Sequence, residues 1–322
     1  MSIMPLEILL PLAVLLLAVV LDAAFGDPPN RVHPVAWMGR FINFLFSRLP
    51  TSCSSSIQRL LGAVAAVSVI ALPTLAVFYA LSLIDHALGK VVFLVVSAVL
   101  LKATFTVRGM WKHILPVAKC LEDGEIEKAR RLLSYTVRRD TSKLPPQLLI
   151  SAAVETVAEG LVDGFASAAF YYSLFGVPGA YAYRAINTLD SMVGYKEPPY
   201  THIGWFSARL DDLANFIPAR ITALLMLLSA ALLGLNWRKG LKILTRDRKN
   251  LESVNAGYPI SAMAGILGVQ LEKSGHYRVG DPTEELRVNH IYLALKIFTL
   301  SAALFITLIA TPLALLIHFL LV

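Results

Sequence analysis

Charge is what this sequence has least of. Asp, Glu, Lys and Arg make up 16% of its 322 residues, against ~25% in an average soluble domain. Hydrophobic residues make up 56%, and the mean hydropathy is +0.64. Cysteine is almost as scarce. Cys53 and Cys120 have no ligand-like spacing to each other or to histidine, which argues against a disulfide scaffold or a zinc site and for free thiols in a reducing compartment. There is no P-loop and no GxGxxG, so a nucleotide would need a non-standard site. The net charge is +7, yet no basic helix or aromatic stacking platform accompanies it, and nucleic acid is not expected as a partner. No Lys or Arg precedes the first apolar run, only Glu7, so an uncleaved helix is expected there rather than a signal peptide.

What is present in quantity is hydrocarbon. About 20 apolar helical residues cross a bilayer, and spans are expected near 6–24, 60–84, 91–105 and 291–321. The fold class is therefore all-α, a polytopic helical membrane bundle of about four to six spans, embedded in a lipid bilayer as a multi-pass protein of the cell membrane. A hairpin at 85–90 is expected to join the second and third spans. Residues 108–143 and 236–289 are soluble in character, and Glu125–Tyr135 has the apolar stripe of a surface helix. Helices near 147–172 and 219–235 carry polar faces. If both cross, there are six spans. If neither does, there are four, with 108–290 forming one cytoplasmic or interfacial portion. Four is the expectation, with Gly176-Val177-Pro178-Gly179 ending the first polar-faced helix and a mixed polar stretch from Tyr181 to Ile217. The basic residues lie in loops beside apolar segments, which places those loops, and the site, on the cytoplasmic side.

Against this background, the polar stretch between Arg139 and Arg220 is anomalous, because charge beside hydrocarbon is costly unless paired or used. Glu155, Glu159 and Asp163 are spaced i, i+4, i+8 and lie on one side of a helix. With Asp190, Asp211 and Asp212 near in sequence, they suggest a site for a hard cation. Mg²⁺ takes carboxylate oxygens and shares them with substrate phosphates and water. Pairing with Arg138, Arg139, Arg184 or Arg209 would explain the same acids without a ligand. Arg139-Asp140-Thr141 could fork onto a phosphate, or Asp140 and Thr141 could cap a helix. Asn187-Thr188-Leu189-Asp190-Ser191 gathers an amide, two hydroxyls and an acid. Asn255-Ala256-Gly257 could bring backbone amides to an anion or be an ordinary turn. His33 could act as an acid–base group or as an interfacial hydrogen bonder.

These segments, taken in order, resemble the CobD/CbiB family of cobalamin biosynthesis. The resemblance runs through Leu21-Asp22, Phe25-Gly26-Asp27-Pro28, His33-Pro34-Val35, Arg139-Asp140-Thr141, Glu155-Thr156-Val157-Ala158-Glu159, Tyr183 to Tyr195, Ala208 to Asp212, Pro218-Ala219-Arg220 and Asn255-Ala256-Gly257. Gly160 departs from the Asn of the family pattern, and Arg139 stands where Gly often precedes Asp-Thr. The resemblance implies a ligase that forms an amide with ATP as co-substrate and Mg²⁺. It would join adenosylcobyric acid, a corrinoid, to an aminopropanol phosphate or related amino-alcohol phosphate. On that reading Glu155, Glu159, Asp190 and His33 are catalytic candidates. Glu159, Asp163, Asp190, Asp211 and Asp212 are metal candidates. Arg139, Asp140, Thr141, Arg184, Asn187, Thr188, Ser191, Arg209 and Asn255 would hold substrate and phosphate. Self-association, or association with other corrinoid-pathway enzymes, is left open. A transporter using intramembrane acids, a Mg²⁺-dependent prenyl- or phosphotransferase, and a non-catalytic subunit are the alternatives from other classes.

Overall fold

The structure is a computed structural model that describes residues 6–321, with side chains from 9 to 320. Val322, at the end of the expected last span, and the side chain of Glu7 lie outside the described residues. Among the described residues the regular structure is helical apart from one short hairpin, as an all-α membrane protein should be. It divides into two compact units: Met1–Thr106 with Ser167–Asn215 and Thr307–Val322, and Val107–Ala166 with Phe216–Ile306.

The first unit contains, numbered along the chain, α1 (Leu6–Phe25), α2 (Pro34–Phe46), α3 (Ser55–Lys102), α7 (Ser167–Val193), α8 (Tyr200–Ile203), α9 (Trp205–Ala214) and α14 (Thr311–Leu321). Its core forms where α3 meets α1 and α7. Pro34 opens α2, where a missing N–H costs nothing, and Trp37 and Phe44 stay exposed on it.

The second unit contains α4 (Arg108–Glu122), α5 (Ile126–Ser134), α6 (Pro146–Leu161), α10 (Phe216–Leu232), α11 (Trp237–Asp247), α12 (Gly257–Leu267), an antiparallel hairpin of β1 (Leu271–Lys273) and β2 (Tyr277–Val279), and α13 (Asn289–Phe305). A π-helical turn, Val162–Ala166, follows α6. The amphipathic α5 matches the expected surface helix. α12, by contrast, is buried along nearly its whole length. Glycine lets it approach α11 closely: a Cβ on Gly265 would lie 2.8 Å from the Gly240 Cα, the Ile243 Cβ and the Lys239 carbonyl.

The expected break between the spans 60–84 and 91–105 falls at Gly89. Ser55–Lys102 is two helices that meet across a kink at that residue (φ 80°, ψ 171°). A backbone at that φ suits a residue without Cβ, so a single glycine takes the place of the expected 85–90 loop. Among the described residues two helical stretches are long and apolar enough to cross a membrane, Ser55–Lys102, with its kink, and Asn289–Leu320. The bent pair Trp205–Ala214 and Phe216–Leu232 makes a third if it is one span, whereas Leu9–Phe25 is a shorter apolar helix. Gly176-Val177-Pro178-Gly179 ends its helix as expected. Gly176 leaves the spiral (φ 65°, ψ −161°), a Cβ on Gly179 would lie 2.6 Å from the Tyr171 carbonyl, and the Tyr171 and Tyr183 rings stack at 5.5 Å, so the chain doubles back here. Pro178 falls in the first turn of a second helix, which runs to Val193. The stretch from Tyr181 to Ile217, expected as a mixed polar stretch, is mostly helical.

Candidate functional site

Each unit brings together part of the anomalous polar stretch. In the second unit the acids of α6 are met by two other segments. The loop after α5 delivers Arg138 and Arg139, and the hairpin delivers Glu272, Lys273 and Tyr277. Glu155 is 2% exposed and accepts from three donors. Arg139 forms an ion pair with it, Ser151 donates to Oε1 at 2.6 Å, and the Tyr277 phenol donates to Oε2 at 2.7 Å. Ser151 in turn accepts the Glu272 N–H at 2.8 Å, and Arg139 also reaches the Glu272 carbonyl at 3.3 Å. Glu155 therefore fastens loop and hairpin to α6, and burial together with the Glu155 charge pushes the Tyr277 phenol far above its usual range.

Glu159, one turn on, has a different fate. Its side chain is exposed to water although protein surrounds it at longer range. Loss of bulk water and then the Glu155 charge raise its pKa above the carboxylate range. Arg138, Lys273 and Arg139 act against this without reversing it. At Gly160, where the family pattern has Asn, the Met110 methyl fills the space in which a side chain would begin. Asp163 is half-buried in the π-helical turn. The α-spiral stops at Leu161, so i+8 spacing no longer fixes its side relative to Glu155.

Arg139, Asp140, Thr141 and Ser142, with Glu127, Arg130, Arg131 and Ser134, line a cavity of about 310 Å³. The expected phosphate grip of the first three is altered by their partners. Arg139 is held by Glu155, Thr141 is buried and donates to the Arg130 carbonyl at 2.8 Å, and Asp140 accepts the Ser142 N–H at 2.8 Å. Asp140 thus makes a local turn contact.

In the first unit, α7 and α9 form a second polar cluster. Asp211 accepts from Asn215 at 2.9 Å and from Asn187 at 3.4 Å. Asn187 accepts from Arg184 at 3.0 Å, and Arg184 also donates to the Thr104 carbonyl at 2.7 Å. Asn215 accepts from Ser167 at 2.6 Å and Tyr183 at 2.9 Å. Thr188 turns back on the Arg184 carbonyl at 2.6 Å. The half-buried Asp190 folds over Gly194, where any Cβ would collide with its carboxylate. Ser191 is exposed, and exposed Arg209 pairs with Asp212 at 3.2 Å.

The same unit holds an ion cluster that the sequence reading passed over. Lys102, 5% exposed, pairs with Asp22 at 3.0 Å and with Asp27. His33 Nε2 lies 4.0 Å from Asp27, and its Nδ1 accepts the Val35 N–H at 3.2 Å as the cap of α2. That cap leaves the neutral ring's proton on Nε2, facing Asp27. Burial would raise Asp27, but His33, Lys102 and Thr106 outweigh it and hold the carboxylate below its usual range.

The candidate metal ligands are thus divided. Glu159 and Asp163 belong to the second unit, and Asp190, Asp211 and Asp212 to the first. Among the described residues no group of three or more His, Cys, Asp or Glu could hold a metal ion. Glu155 is fully engaged, but Glu159 remains open to water. That donor set fits a Mg²⁺ carried mostly by phosphate oxygens, not a cage built from protein alone. Ser151, four residues before Glu155 on one helix, was open to the spacing argument already used for the acids, whereas Tyr277 was missed because its partner Glu155 is distant in sequence. The one local sign was Ser274-Gly275 between two three-residue runs able to pair as strands.

Comparison with known proteins extends the picture. A family model described as CobD/Cbib protein matches residues 15–307. The chain is 43% identical over 293 residues to a probable cobalamin biosynthesis protein CobD of Methanothermobacter thermautotrophicus, covering 91% of this chain and 95% of that one. It is 43% identical over 275 residues to a cobalamin biosynthesis protein CobD of Dehalococcoides mccartyi, covering 85% and 88%. A probable CobD of Thermoplasma volcanium is 39% identical over 302 residues, covering 94% and 97%. No solved structure matches the chain.

Proposed function

The chain belongs to the CobD/CbiB family, and on that premise we propose that it ligates adenosylcobyric acid to an amino-alcohol phosphate with ATP, giving adenosylcobinamide phosphate. The coarser statement stands on the relatives: the protein acts in cobalamin biosynthesis, on a corrinoid. One structural observation carries the finer one. Glu159 is a water-accessible carboxylate of raised pKa beside cationic side chains, one turn from the anchored Glu155.

The free propionate oxygen of the corrinoid attacks the γ-phosphorus of ATP. An O–P bond forms, ADP leaves, and an acyl phosphate results. The amine of the second substrate then attacks the acyl carbon. A C–N bond forms, the C–O bond to phosphate breaks, and inorganic phosphate departs. Arg138 and Lys273 face the charge that moves in both steps. Glu159 takes the proton released by the amine, a role suited to a carboxylate shifted toward working pH. Bound Mg²⁺, with Glu159 as a protein ligand, would neutralise part of the triphosphate charge. Arg139 serves through Glu155, holding the loop and the hairpin against α6. We place the site on the cytoplasmic side of a multi-pass protein, because basic residues flank the apolar segments.

The test is direct. Purified protein in detergent is mixed with adenosylcobyric acid, ATP, Mg²⁺ and aminopropanol phosphate, and products are read by mass spectrometry. ATP-dependent adenosylcobinamide phosphate is expected, and its appearance without a second compartment also excludes a pure transporter. Failure to form it with protein shown to be folded would remove the ligase reading.

A further inference from the structure

Outside both clusters, the start of α10 and the start of α12 bring two arginines to one tyrosine. The Arg220 guanidinium lies between two rings, 3.4 Å from the Phe216 centroid and 4.3 Å from that of Tyr258. The Arg248 guanidinium lies 5.7 Å from the same Tyr258 ring. Asn255, 6% exposed, accepts from Arg220 at 3.2 Å. The backbone is shaped for this approach. A Cβ on Gly257 would strike the Arg248 carbonyl, so only glycine lets the end of α11 lie against the start of α12.

Among the described residues neither guanidinium has a carboxylate within ion-pairing distance. Nearby arginines are matched: Arg246 pairs with Asp247 and with Asp281, and Arg278 with Glu272. Asp247, next to Arg248 in sequence, is thus taken by Arg246, and Glu252 faces His276 at 3.9 Å. Two like charges held against one ring repel each other. A tyrosine face offers each only a modest cation–π attraction. The arrangement gains most from a doubly accepting anion, since guanidinium forks match phosphate oxygens. The uncapped N-terminus of α12 adds a field of the same sign.

We propose that Arg220, Arg248, Asn255 and Tyr258 form a phosphate-binding site. Its occupant is the phosphate of a soluble ligand or of an anionic lipid headgroup. The second source has physical grounds, since Arg220 begins an apolar helix beside exposed Phe216 and Ile217. The proposal does not rest on the ligation reading, because it concerns binding alone, and of its residues only Asn255 was a candidate contact there.

The experiment uses the full chain with Arg220→Gln and Arg248→Gln, the ring-preserving Tyr258→Phe, and Lys242→Gln as a control at an exposed lysine of α11. One arm measures inorganic pyrophosphate binding in neutral detergent at low salt by equilibrium dialysis. The other counts phosphatidylglycerol retained from mixed phosphatidylglycerol–phosphatidylcholine nanodiscs. A soluble source predicts at least tenfold weaker pyrophosphate binding in both arginine variants and little change in Tyr258→Phe and Lys242→Gln. A lipid source predicts unchanged pyrophosphate binding and loss of about one retained phosphatidylglycerol per chain in the arginine variants alone. Unchanged values in both arms overturn the site, and so does an equal effect of Lys242→Gln, which would reveal general surface charge. Should Arg220→Gln fail to fold, Arg248→Gln, whose side chain sits at the outer edge of the cluster, decides the matter.

Discussion

The Glu155 anchor makes the sharpest quantitative prediction. Replacing Glu155 with Ala removes a buried carboxylate that accepts from Arg139, Ser151 and Tyr277. It leaves a mostly buried guanidinium without its counter-charge, and breaking a buried pair in this way costs about 3–5 kcal/mol. Tyr277→Phe removes one hydrogen bond to a charged acceptor, worth about 1.5–3 kcal/mol. Arg139 and Ser151 still hold Glu155 there, so the lower end applies. In a domain of this size 1 kcal/mol moves Tm by roughly 2–4 °C. Tyr277→Phe should thus lower the apparent Tm by about 3–6 °C, and Glu155→Ala by at least twice as much. The two changes share a partner and will not add.

The assay is thermal unfolding in a fixed detergent at one scan rate, because unfolding of such a chain is apt to be irreversible. Limited proteolysis near Ser274-Gly275 supplies a local readout, since the anchor ties down the hairpin. Cleavage there should accelerate in both variants. The account is refuted if Glu155→Ala unfolds like the unmodified protein, or if Tyr277→Phe is the more damaging change.

Other outcomes follow from the same geometry. Glu159 should behave oppositely to Glu155. Its pKa is raised in the folded chain, so the folded state keeps that proton to higher pH than the unfolded state. Ionisation is then a penalty on folding, absent below the 4.5 of an unperturbed Glu and complete once pH has passed the folded value. Glu159→Gln should raise the apparent Tm at pH 8, with the gap closing toward pH 4, while abolishing ligation; a variant less stable at pH 8, or fully active, contradicts this. Lys102→Met leaves Asp22 and Asp27 facing each other without their cation and should cost about 3–5 kcal/mol, seen as a large fall in folded yield and Tm. Gly265→Val forces α11 and α12 apart and should destabilise by several °C, whereas Gly275→Ala, with open space around it, should cost only the strain of its positive φ; equal losses would discount the close contact.

The sequence made the chemical types visible but not their pairing. Apolar runs were enough to call a helical membrane protein, and 3.6-residue periodicity located α5 and α6. The breaks at Gly89 and Gly176 were legible too, because a glycine with positive φ can end one helix and start the next; that a single residue suffices at Gly89, where residues 85–90 were expected to form a loop, was not. Glu155 and Glu159 also look alike, two acids one turn apart on one helix. What separates them is a hairpin more than a hundred residues downstream, whose Tyr277 and Glu272 backbone close over one acid and leave the other open. His33 was a fair candidate for acid–base work, but its Nδ1 is taken by a helix cap that only coordinates reveal.

The distribution of charge then takes on a consistent meaning. A chain with this little charge places its most buried ions in closed sets: Lys102 with Asp22 and Asp27, Arg139 with Glu155, and Asp247 with Arg246 and the Gly280 N–H. Each set supplies its own counter-charge and hydrogen bonds, which is what a low-dielectric interior requires, and so each has little left to offer a ligand. Two places break the pattern. Glu159 keeps a water-accessible carboxylate at raised pKa, and Arg220 with Arg248 keep two guanidiniums without an acid. If counter-charge is to come from outside the chain, it is at these places that the protein has left room for it: a cation and a transferable proton at the first, a phosphate at the second. Function should therefore be more sensitive to Glu159 and Arg248 than to Glu155 or Lys102 once folding is accounted for, and stability should show the reverse order.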